Sequence, residues 1–427
     1  MALKRPSVFE RVARLGVLEL ERASECRIFQ SLKGADSGCE YCGQVRWARR
    51  VLVGVAALVL VVLVAAFGYL KVQSDRSVVL PAPTGPDRVG RTVYDWVDQS
   101  RMDPFAPNSW TPRELSVWVW YPAEAASGAG KASYWPAHWQ RALGEPAGVK
   151  ALLHTRPSLI HPHAVEEASL SNSQRQYPLL VFAPGQGLSA ADYTSIAEDL
   201  ASNGYVVAGI NPTYSVDVVL SSNRVVRSAA KAENAGYPQL VSVWADDMRF
   251  VARQMDGLGT ASTGRFGGRL QSAAAGFFGH SLGGAAAVQA CRDDDRCPGA
   301  ADLDGRLGGD VRQTGLGKPF LFLGSQSSLS TSDGAVKAQV RSVLRGVPAG
   351  QGHVLTVAGA EHYNFTDQGV YFDLRASAFL GSIDGARALH LSSTYLRAFF
   401  SSYLLGRTDP LMAGPSTAFP EVRAERV

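Results

Sequence analysis

The stretch Gly276-Phe277-Phe278-Gly279-His280-Ser281-Leu282-Gly283-Gly284 decides how the rest of the chain is interpreted. It contains a G-x-S-x-G pattern at Gly279, Ser281 and Gly283, between the apolar run 273–278 and the helix-forming run 284–290. A serine between a strand and a helix, with small residues where the two elements approach, is typical of a nucleophile elbow, whose strained turn projects Oγ above the sheet. The stretch therefore predicts a strand, a nucleophilic Ser281 and a helix, in that order.

Further apolar segments on both sides of this stretch extend the pattern. Strands are predicted at 113–122, 177–183, 205–210, 299–304, 318–324 and 353–358, and helices at 190–203 and 240–255. Strands that alternate with helices at such spacing form a mostly parallel sheet with helices on both faces. The predicted fold class is therefore α/β, with a doubly wound sheet.

The candidate acid and base follow Ser281 in the chain. Asp304 ends the strand after the elbow helix, and His362 lies in the loop after the last predicted strand. The order serine, acid, histidine is the order of α/β-hydrolases, and loops at the carboxyl ends of parallel strands meet at one edge of the sheet. Asp333, which follows the next strand, stays open as a rival acid, as does Asp302 if the strand register shifts by one residue.

Two other histidines are interpreted as structural. His280 adjoins the serine and cannot face it, and His353 begins a strand, at the wrong end of the sheet. The turn Pro184-Gly185-Gln186-Gly187, at the carboxyl end of the strand 177–183, is a candidate oxyanion hole, because glycines let backbone N–H groups face a developing negative charge. The alternative is an ordinary strand-to-helix turn.

The N-terminal region predicts a membrane anchor. Residues 51–70 are uncharged and span about 30 Å as a helix, the thickness of a bilayer core. Three arginines precede the run and fewer cations follow it, so residues 1–50 are expected in the cytoplasm and the body in the periplasm or outside the cell. Residues 71–90, rich in proline and glycine, are predicted as a linker, and 91–427 as the catalytic domain.

Charge argues against a nucleic-acid partner. The formal net charge is +4, and residues 1–50 alone carry ten Lys and Arg against six Asp and Glu. The body is thus neutral overall, whereas phosphate binding needs a concentrated basic face. An amphipathic helix is predicted at 7–22.

Cysteine and histidine positions predict neither a metal nor a cofactor. Cys26, Cys39 and Cys42 are interpreted as free or palmitoylated thiols, because residues 1–50 contain no histidine to complete a zinc site. Cys291 and Cys297 are expected to be unpaired, with a disulfide as the open alternative. The pair His161-Pro-His163 has no carboxylate or cysteine cluster beside it and is expected to be a surface feature.

An insert over 123–176 contains the aromatic residues Tyr134, Trp135 and Trp139. Aromatic side chains suit both a substrate groove and the packing of an insert, and the sequence leaves both interpretations open.

From Arg113 to Asp367 the chain resembles the plasma and type II intracellular platelet-activating-factor acetylhydrolases. The resemblance rests on the strand and turn 177–187, on Gly279-His-Ser-Leu-Gly-Gly284, on Leu303-Asp304 and on His362-Tyr-Asn-Phe-Thr-Asp367. It implies an α/β-hydrolase fold, the acid at Asp304, and oxyanion donors at the backbone N–H groups of Gln186 and Leu282. One departure is Pro184-Gly185, where the family usually has His-Gly, so the hydrogen bonding of this turn must differ.

The predicted function is that of a serine carboxylic-ester hydrolase which works through an acyl-enzyme with Ser281, His362 and Asp304. The resemblance implies an ester or phospholipid substrate with a short or oxidised sn-2 acyl chain, held near the bilayer by residues 51–70. The alternatives are a polyester or small-ester esterase or lipase of the same fold, or a non-catalytic hydrolase-fold scaffold on the membrane.

Overall fold

The computed structural model describes residues 40–124, 130–145, 155–330, 334–372 and 380–427. The chain divides into two units, the first ending at Val72 and the second comprising Gln73–Val427. The predicted helix at 7–22, together with Cys26 and Cys39, lies outside the described residues.

The N-terminal unit is described as one long helix, α1 (Glu40–Ser74), which includes the predicted span 51–70. Its part Arg46–Ser74 is long and apolar enough to cross a membrane, judged by length and composition. The run 51–70 is rich in leucine and valine and carries no charge. A helix satisfies all backbone hydrogen bonds of such a run within the segment itself, which explains why the helix is uninterrupted.

The C-terminal unit contains all the strands of the described chain. They are β1 (Val78–Val79), β2 (Arg88–Met102), β3 (Pro112–Ala123), β4 (Ile160–His161), β5 (Val165–Glu166), β6 (Tyr177–Ala183), β7 (Val206–Pro212), β8 (Val218–Val219), β9 (Val225–Val226), β10 (Leu270–His280), β11 (Ala300–Leu303), β12 (Phe320–Ser325), β13 (Gly352–Val357) and β14 (Val422–Ala424). The α-helices of this unit are α2 (Ala137–Leu143), α3 (Thr194–Ser202), α4 (Ala230–Glu233), α5 (Tyr237–Thr260), α6 (Leu282–Asp293), α7 (Val311–Thr314), α8 (Ala335–Val343), α9 (Gln368–Tyr371) and α10 (Gly385–Tyr403).

A ten-stranded sheet with the order β14-β13-β12-β11-β10-β6-β7-β3-β2-β5 organises this unit. Its six central strands, from β13 to β7, pair in parallel, whereas β3 and β14 join them in antiparallel pairs. The predicted mostly parallel sheet is confirmed. Since the carboxyl ends of the parallel strands lie at one edge, the loops that follow β6, β10, β11 and β13 converge there.

Alternate residues of the strands enter two separate cores, one on each face of the sheet. Val117 and Val181 pack with α5, α6 and α8, whereas Trp118 and Phe182 pack with α3 and α10. Successive side chains of a strand point to opposite faces, so strands that are apolar at every position need helices on both sides. The arrangement of helices on both faces of the sheet follows from this pattern.

Two long elements were not anticipated from the sequence. The strand β2 is exposed at several positions and begins beyond a proline-rich stretch, and the helix α10 lies after the last segment to which a structure was assigned. The buried face of α10, which includes Leu396 and Phe400, covers the second core.

Residues 71–90, which the sequence predicts as a linker, include ordered segments that contact the rest of the C-terminal unit. The helix α1 continues to Ser74, β1 pairs in parallel with β4, and Leu80 is buried. Thr84 donates its N–H and its hydroxyl to Asp199 Oδ1, at 2.8 and 2.7 Å. Proline and glycine indicated irregular backbone here, but they did not indicate that tertiary hydrogen bonds would hold it.

Candidate active site

Ser281 lies at the turn between β10 and α6, in a backbone conformation that serine rarely adopts. Its φ and ψ are +56° and −122°, and strain of this kind is concentrated at functional sites. A Cβ at Gly279 would lie 2.2 Å from the carbonyl oxygen of Gly283, and a Cβ at Gly283 would lie 2.1 Å from that of Ala183. Only glycine fits at both positions, so the spacing around Ser281 has a steric cause.

Three side chains from separate loops form a continuous hydrogen-bonded chain at this edge of the sheet. Ser281 Oγ lies 3.0 Å from His362 Nε2, and His362 Nδ1 lies 2.7 Å from Asp304 Oδ2. If Nδ1 carries the proton that it shares with the carboxylate, Nε2 is free to accept the proton of the serine hydroxyl. The structure therefore brings together the three residues that the sequence selected.

Asp304 is held from the opposite side by the end of β12. Ser325 N–H donates to Asp304 Oδ1 at 2.6 Å, and the backbone of Asp304 has a φ of +55°. The Asp304 side chain is 5% exposed, whereas the His362 side chain is 34% exposed. The carboxylate is thus shielded while the imidazole can be reached by a substrate.

The rival acids have different outcomes. Asp302 is fully buried and accepts from Gly305 N–H at 2.8 Å, and it has no hydrogen bond to His362. Burial, together with the charge of Asp304, raises the pKa of Asp302 well above its usual range, which favours the protonated form of this carboxyl. Asp333 lies outside the described residues.

Three further histidines, His353, His161 and His163, have structural partners. His353 Nε2 contacts the Tyr403 hydroxyl at 2.7 Å, and burial lowers the pKa of His353. His161 Nε2 lies 2.9 Å from Ser77 Oγ, and His163 Nε2 lies 2.8 Å from the carbonyl oxygen of Leu80. Among the described residues no three His, Cys, Asp or Glu side chains are grouped to bind a metal.

Gln186 and Leu282 stand at the same edge of the sheet because β6 and β10 are adjacent strands. The turn that contains Gln186 is closed by Leu188 N–H, which donates to the Gly185 carbonyl at 3.0 Å. Leu282 is the first residue of α6, where backbone N–H groups have no partner within the helix. The N–H group of Leu282 can therefore serve as a donor to a ligand, and the turn that contains Gln186 lies beside it.

A cavity of about 650 Å³ adjoins Gln186. Its walls include Tyr134, Trp139 and Tyr371, and Trp139 is also packed edge-on against Trp118, with ring centroids 5.1 Å apart. The same rings therefore pack the insert and line this cavity, and a role in a substrate groove stays a prediction. Tyr371 lies in a region to which the sequence assigned no element, so nothing in the pattern indicated its place in the wall.

Cys291 and Cys297 form a disulfide, so the expectation of two unpaired thiols was wrong. Their Cα atoms are 5.2 Å apart, within the range that a disulfide can bridge. The bond joins the end of α6 to the loop before β11. The sequence could not provide the Cα distance on which the pairing depends.

Comparison with known proteins shows which families the chain is similar to. A family model described as platelet-activating factor acetylhydrolase, isoform II, matches residues 73–221, a span that ends before Ser281. A probable 1-alkyl-2-acetylglycerophosphocholine esterase from Arthroderma benhamiae is 26% identical over 391 residues, which cover 81% of this chain and 93% of the relative. The chain is thus similar to the platelet-activating factor acetylhydrolases, by this family model and by this relative.

Two further proteins are similar to the chain. The platelet-activating factor acetylhydrolase of Cavia porcellus is 23% identical over 265 residues, which cover 54% of this chain and 58% of that protein. The solved structure of a ferulic acid esterase from Streptomyces cinnamoneus matches with a TM-score of 0.70 and 30% identity, over 82% of this chain and all of that one. The chain therefore has the α/β-hydrolase fold and is a carboxylic ester hydrolase.

Proposed function

We propose that the chain hydrolyses carboxylic esters through a covalent acyl-enzyme on Ser281, with His362 as general base and Asp304 as its partner. The observation that carries the proposal is the pair of hydrogen bonds from Ser281 Oγ to His362 Nε2, at 3.0 Å, and from His362 Nδ1 to Asp304 Oδ2, at 2.7 Å. A serine hydroxyl becomes a nucleophile only when a base takes its proton, and a carboxylate then stabilises the imidazolium that forms.

The reaction has two steps. In the first, Ser281 Oγ bonds to the ester carbonyl carbon while His362 takes its proton, and the N–H groups of Gln186 and Leu282 stabilise the oxyanion. The carbon–oxygen bond to the alcohol then breaks, and His362 returns the proton to the leaving alcohol. In the second step, a water molecule deprotonated by His362 attacks the acyl-enzyme and releases the acid and the free serine.

For the substrate we propose phospholipids with a short or oxidised sn-2 acyl chain. The fungal relative that aligns over 93% of its length is described as a probable 1-alkyl-2-acetylglycerophosphocholine esterase, and this description supports the choice. The helix 51–70 would hold the enzyme beside such lipids.

A second candidate substrate is a small or aromatic ester, and the cavity favours it. In the described part of the cavity wall Arg227 is the only cation, and it is paired with Asp217 at 2.7 Å. A phosphate group gains little from a guanidinium that is already paired, whereas the aromatic wall suits an uncharged ring. The ferulic acid esterase that shares 30% identity supports the same candidate.

One experiment with two parts tests these proposals on the full-length protein. Ser281→Ala should abolish labelling by a fluorophosphonate probe and lower ester hydrolysis by about 10⁴-fold or more, because the acyl-enzyme cannot form. Labelling or hydrolysis that persists in this variant would exclude Ser281 as the nucleophile. Turnover of acetyl-glycerophosphocholine, methyl ferulate, short-chain nitrophenyl esters and long-chain triglyceride then ranks the substrate classes.

We further propose that α1 anchors the protein in a membrane, with residues 1–50 in the cytoplasm and the catalytic domain in the periplasm or outside the cell. Arg46, Arg49 and Arg50 precede the apolar run, as expected of a cytoplasmic flank. The disulfide between Cys291 and Cys297 supports an oxidising compartment for the domain. Extraction of the protein by alkaline carbonate without detergent, or protection of the catalytic domain from protease in intact cells, would contradict this topology.

A further inference from the structure

Two buried polar side chains directly beneath Ser281 take no part in the proposed chemistry. Tyr193 and His280 are 2% and 1% exposed. The Tyr193 hydroxyl lies 2.8 Å from His280 Nδ1, and Gly185 N–H donates to the same hydroxyl oxygen at 2.8 Å. His280 Nε2 lies 3.0 Å from the carbonyl oxygen of His362. The two side chains thus connect the turn before Gln186 to the loop that carries the general base.

The chemistry of the partners fixes the direction of each hydrogen bond. A carbonyl oxygen only accepts, so His280 Nε2 must carry the proton and donate it to the His362 carbonyl. His280 Nδ1 is then the acceptor and takes the Tyr193 hydroxyl proton, while the Tyr193 oxygen accepts from Gly185. Each donor and each acceptor in this series therefore has one partner, and only one set of hydrogen-bond directions is possible.

Both side chains stay uncharged, so the arrangement does not change with protonation near neutral pH. Burial and the neighbouring His362 hold the pKa of His280 well below its usual range. Burial raises the pKa of the Tyr193 hydroxyl well above its usual range. The connection is therefore a fixed structural device between two loops.

The fit at Gly185 leaves little freedom for the turn. A Cβ at Gly185 would lie 2.9 Å from His280 Nδ1 and 3.2 Å from the Tyr193 hydroxyl oxygen. The imidazole rings of His280 and His362 are in contact on the other side, with centroids 4.4 Å apart. A displacement of Tyr193 or His280 is thus passed to both loops.

We propose that Tyr193 and His280 are positioning residues which set the Gln186 N–H and the His362 imidazole at the correct separation around Ser281. The inference rests on the proposed roles of Ser281, Gln186 and His362. The hydroxyl of Tyr193 also supplies the acceptor that Gly185 N–H requires inside the protein.

Tyr193→Phe tests the hydroxyl, with Tyr121→Phe as the matched control. Tyr121 is likewise buried, and its hydroxyl donates to the Ala168 carbonyl at 2.8 Å, away from the candidate site. Both variants should lose a similar amount of thermal stability. Only Tyr193→Phe should lower kcat, by about 10- to 100-fold with KM nearly unchanged, because a small misplacement of catalytic groups costs that much. A kcat within twofold of the parent, or the same loss in Tyr121→Phe, would overturn the proposal.

A second pair of variants tests the imidazole. The amide nitrogen of His280→Gln can still donate to the His362 carbonyl, whereas His280→Leu cannot, so the Gln variant should keep several times more of the kcat. Combining Tyr193→Phe with His280→Gln should lower kcat by less than the product of the single losses, since both act on one connection. Equal activity of the Gln and Leu variants, or strictly multiplicative losses, would contradict a shared role.

The failure of this inference is distinguishable from a failure of the proposed function. If Ser281→Ala retains hydrolysis, the nucleophile is wrong. If Ser281→Ala is inactive while Tyr193→Phe and His280→Leu are fully active and folded, only the positioning role is wrong.

Discussion

Two groups of buried carboxylates lie at the same edge of the sheet and differ in whether an arginine pairs with them. In the first, Arg113 is surrounded by Asp247 and Asp103, at 2.6 and 2.7 Å, and all three side chains are almost completely buried. In the second, Asp302 lies in β11 and Asp304 directly follows that strand, near Ser281, and their hydrogen-bond partners are backbone N–H groups and His362.

The difference shows in the pKa directions. Burial alone would lower the pKa of Arg113, but the charges and hydrogen bonds of Asp247 and Asp103 outweigh it and raise the pKa, so this group is a fully ionised cluster. Asp302 has no cation in contact among the described residues, and burial raises its pKa. A buried carboxylate that pairs with an arginine therefore stabilises the fold. A buried carboxylate without an arginine either has a raised pKa, as Asp302 does, or hydrogen-bonds to an imidazole, as Asp304 does.

The largest expected effect separates activity from stability. Asp304→Asn should lower kcat by about 10³- to 10⁴-fold while the unfolding free energy changes little, because the amide no longer fixes the His362 tautomer. The measurement is kcat on a nitrophenyl ester beside a melting curve. Asp333→Asn is the control, since that position was the rival acid. Loss of activity in Asp333→Asn and not in Asp304→Asn would reverse the assignment.

The next largest expected effect is a loss of stability without a loss of activity. Asp247→Asn should lower the unfolding free energy by about 3 kcal/mol, because it leaves Arg113 buried with one fewer anion. The folded fraction should keep a kcat within about twofold of the parent, as the site is not touched. Urea unfolding measures the stability.

Asp246→Asn is the matched control for this variant. Asp246 is the neighbouring residue and pairs with Arg249 on the surface, where a salt bridge is worth about 0–1 kcal/mol. Equal destabilisation by the two variants would show that losing the buried pair of Asp247 costs no more stability than losing the surface pair of Asp246.

The smallest effect is a change in pH dependence. Since the pKa of Asp302 is raised in the folded protein, the folded state holds a proton that the unfolded chain loses above the usual range of an aspartate, about pH 4. The unfolding free energy of the parent should therefore fall as pH rises from about 4 towards 7. Asp302→Asn cannot titrate and should show a flatter curve in this range, whereas the exposed Asp310→Asn should not. Parallel curves for the parent and Asp302→Asn would show that Asp302 is ionised in the fold.

Much of the sheet was predictable because its strands are apolar at every position and alternate with helices. The strand 177–183 has the predicted bounds, and the elbow strand and helix extend the predicted ones by a few residues. The elements that the sequence did not reveal are β2, with its mixed burial, and α10, which follows the last strand of the parallel series. Both depend on what packs against them, and periodicity in one segment does not report this.

The candidate site shows the same division. Ser281, Asp304 and His362 were selected from motif, chain order and the ends of strands, and their catalytic roles stay a prediction. Tyr193 had no signal, because a tyrosine in a helical segment is typical of core packing.

The sequence alone determined features that depend on neighbouring residues in the chain. These are the glycines that allow the elbow, the apolar strands that require helices on both faces, and the uncharged run that forms α1. Tertiary structure alone decided the distances between residues far apart in the chain. These include the 5.2 Å that permits the Cys291–Cys297 bond, the contact of Asp304 rather than Asp302 with His362, and the connection from Gly185 through Tyr193 to His280. The physical reason is that local pattern fixes which face a side chain occupies, whereas hydrogen bonding and charge depend on atoms a few ångströms away, which only the packed fold brings together.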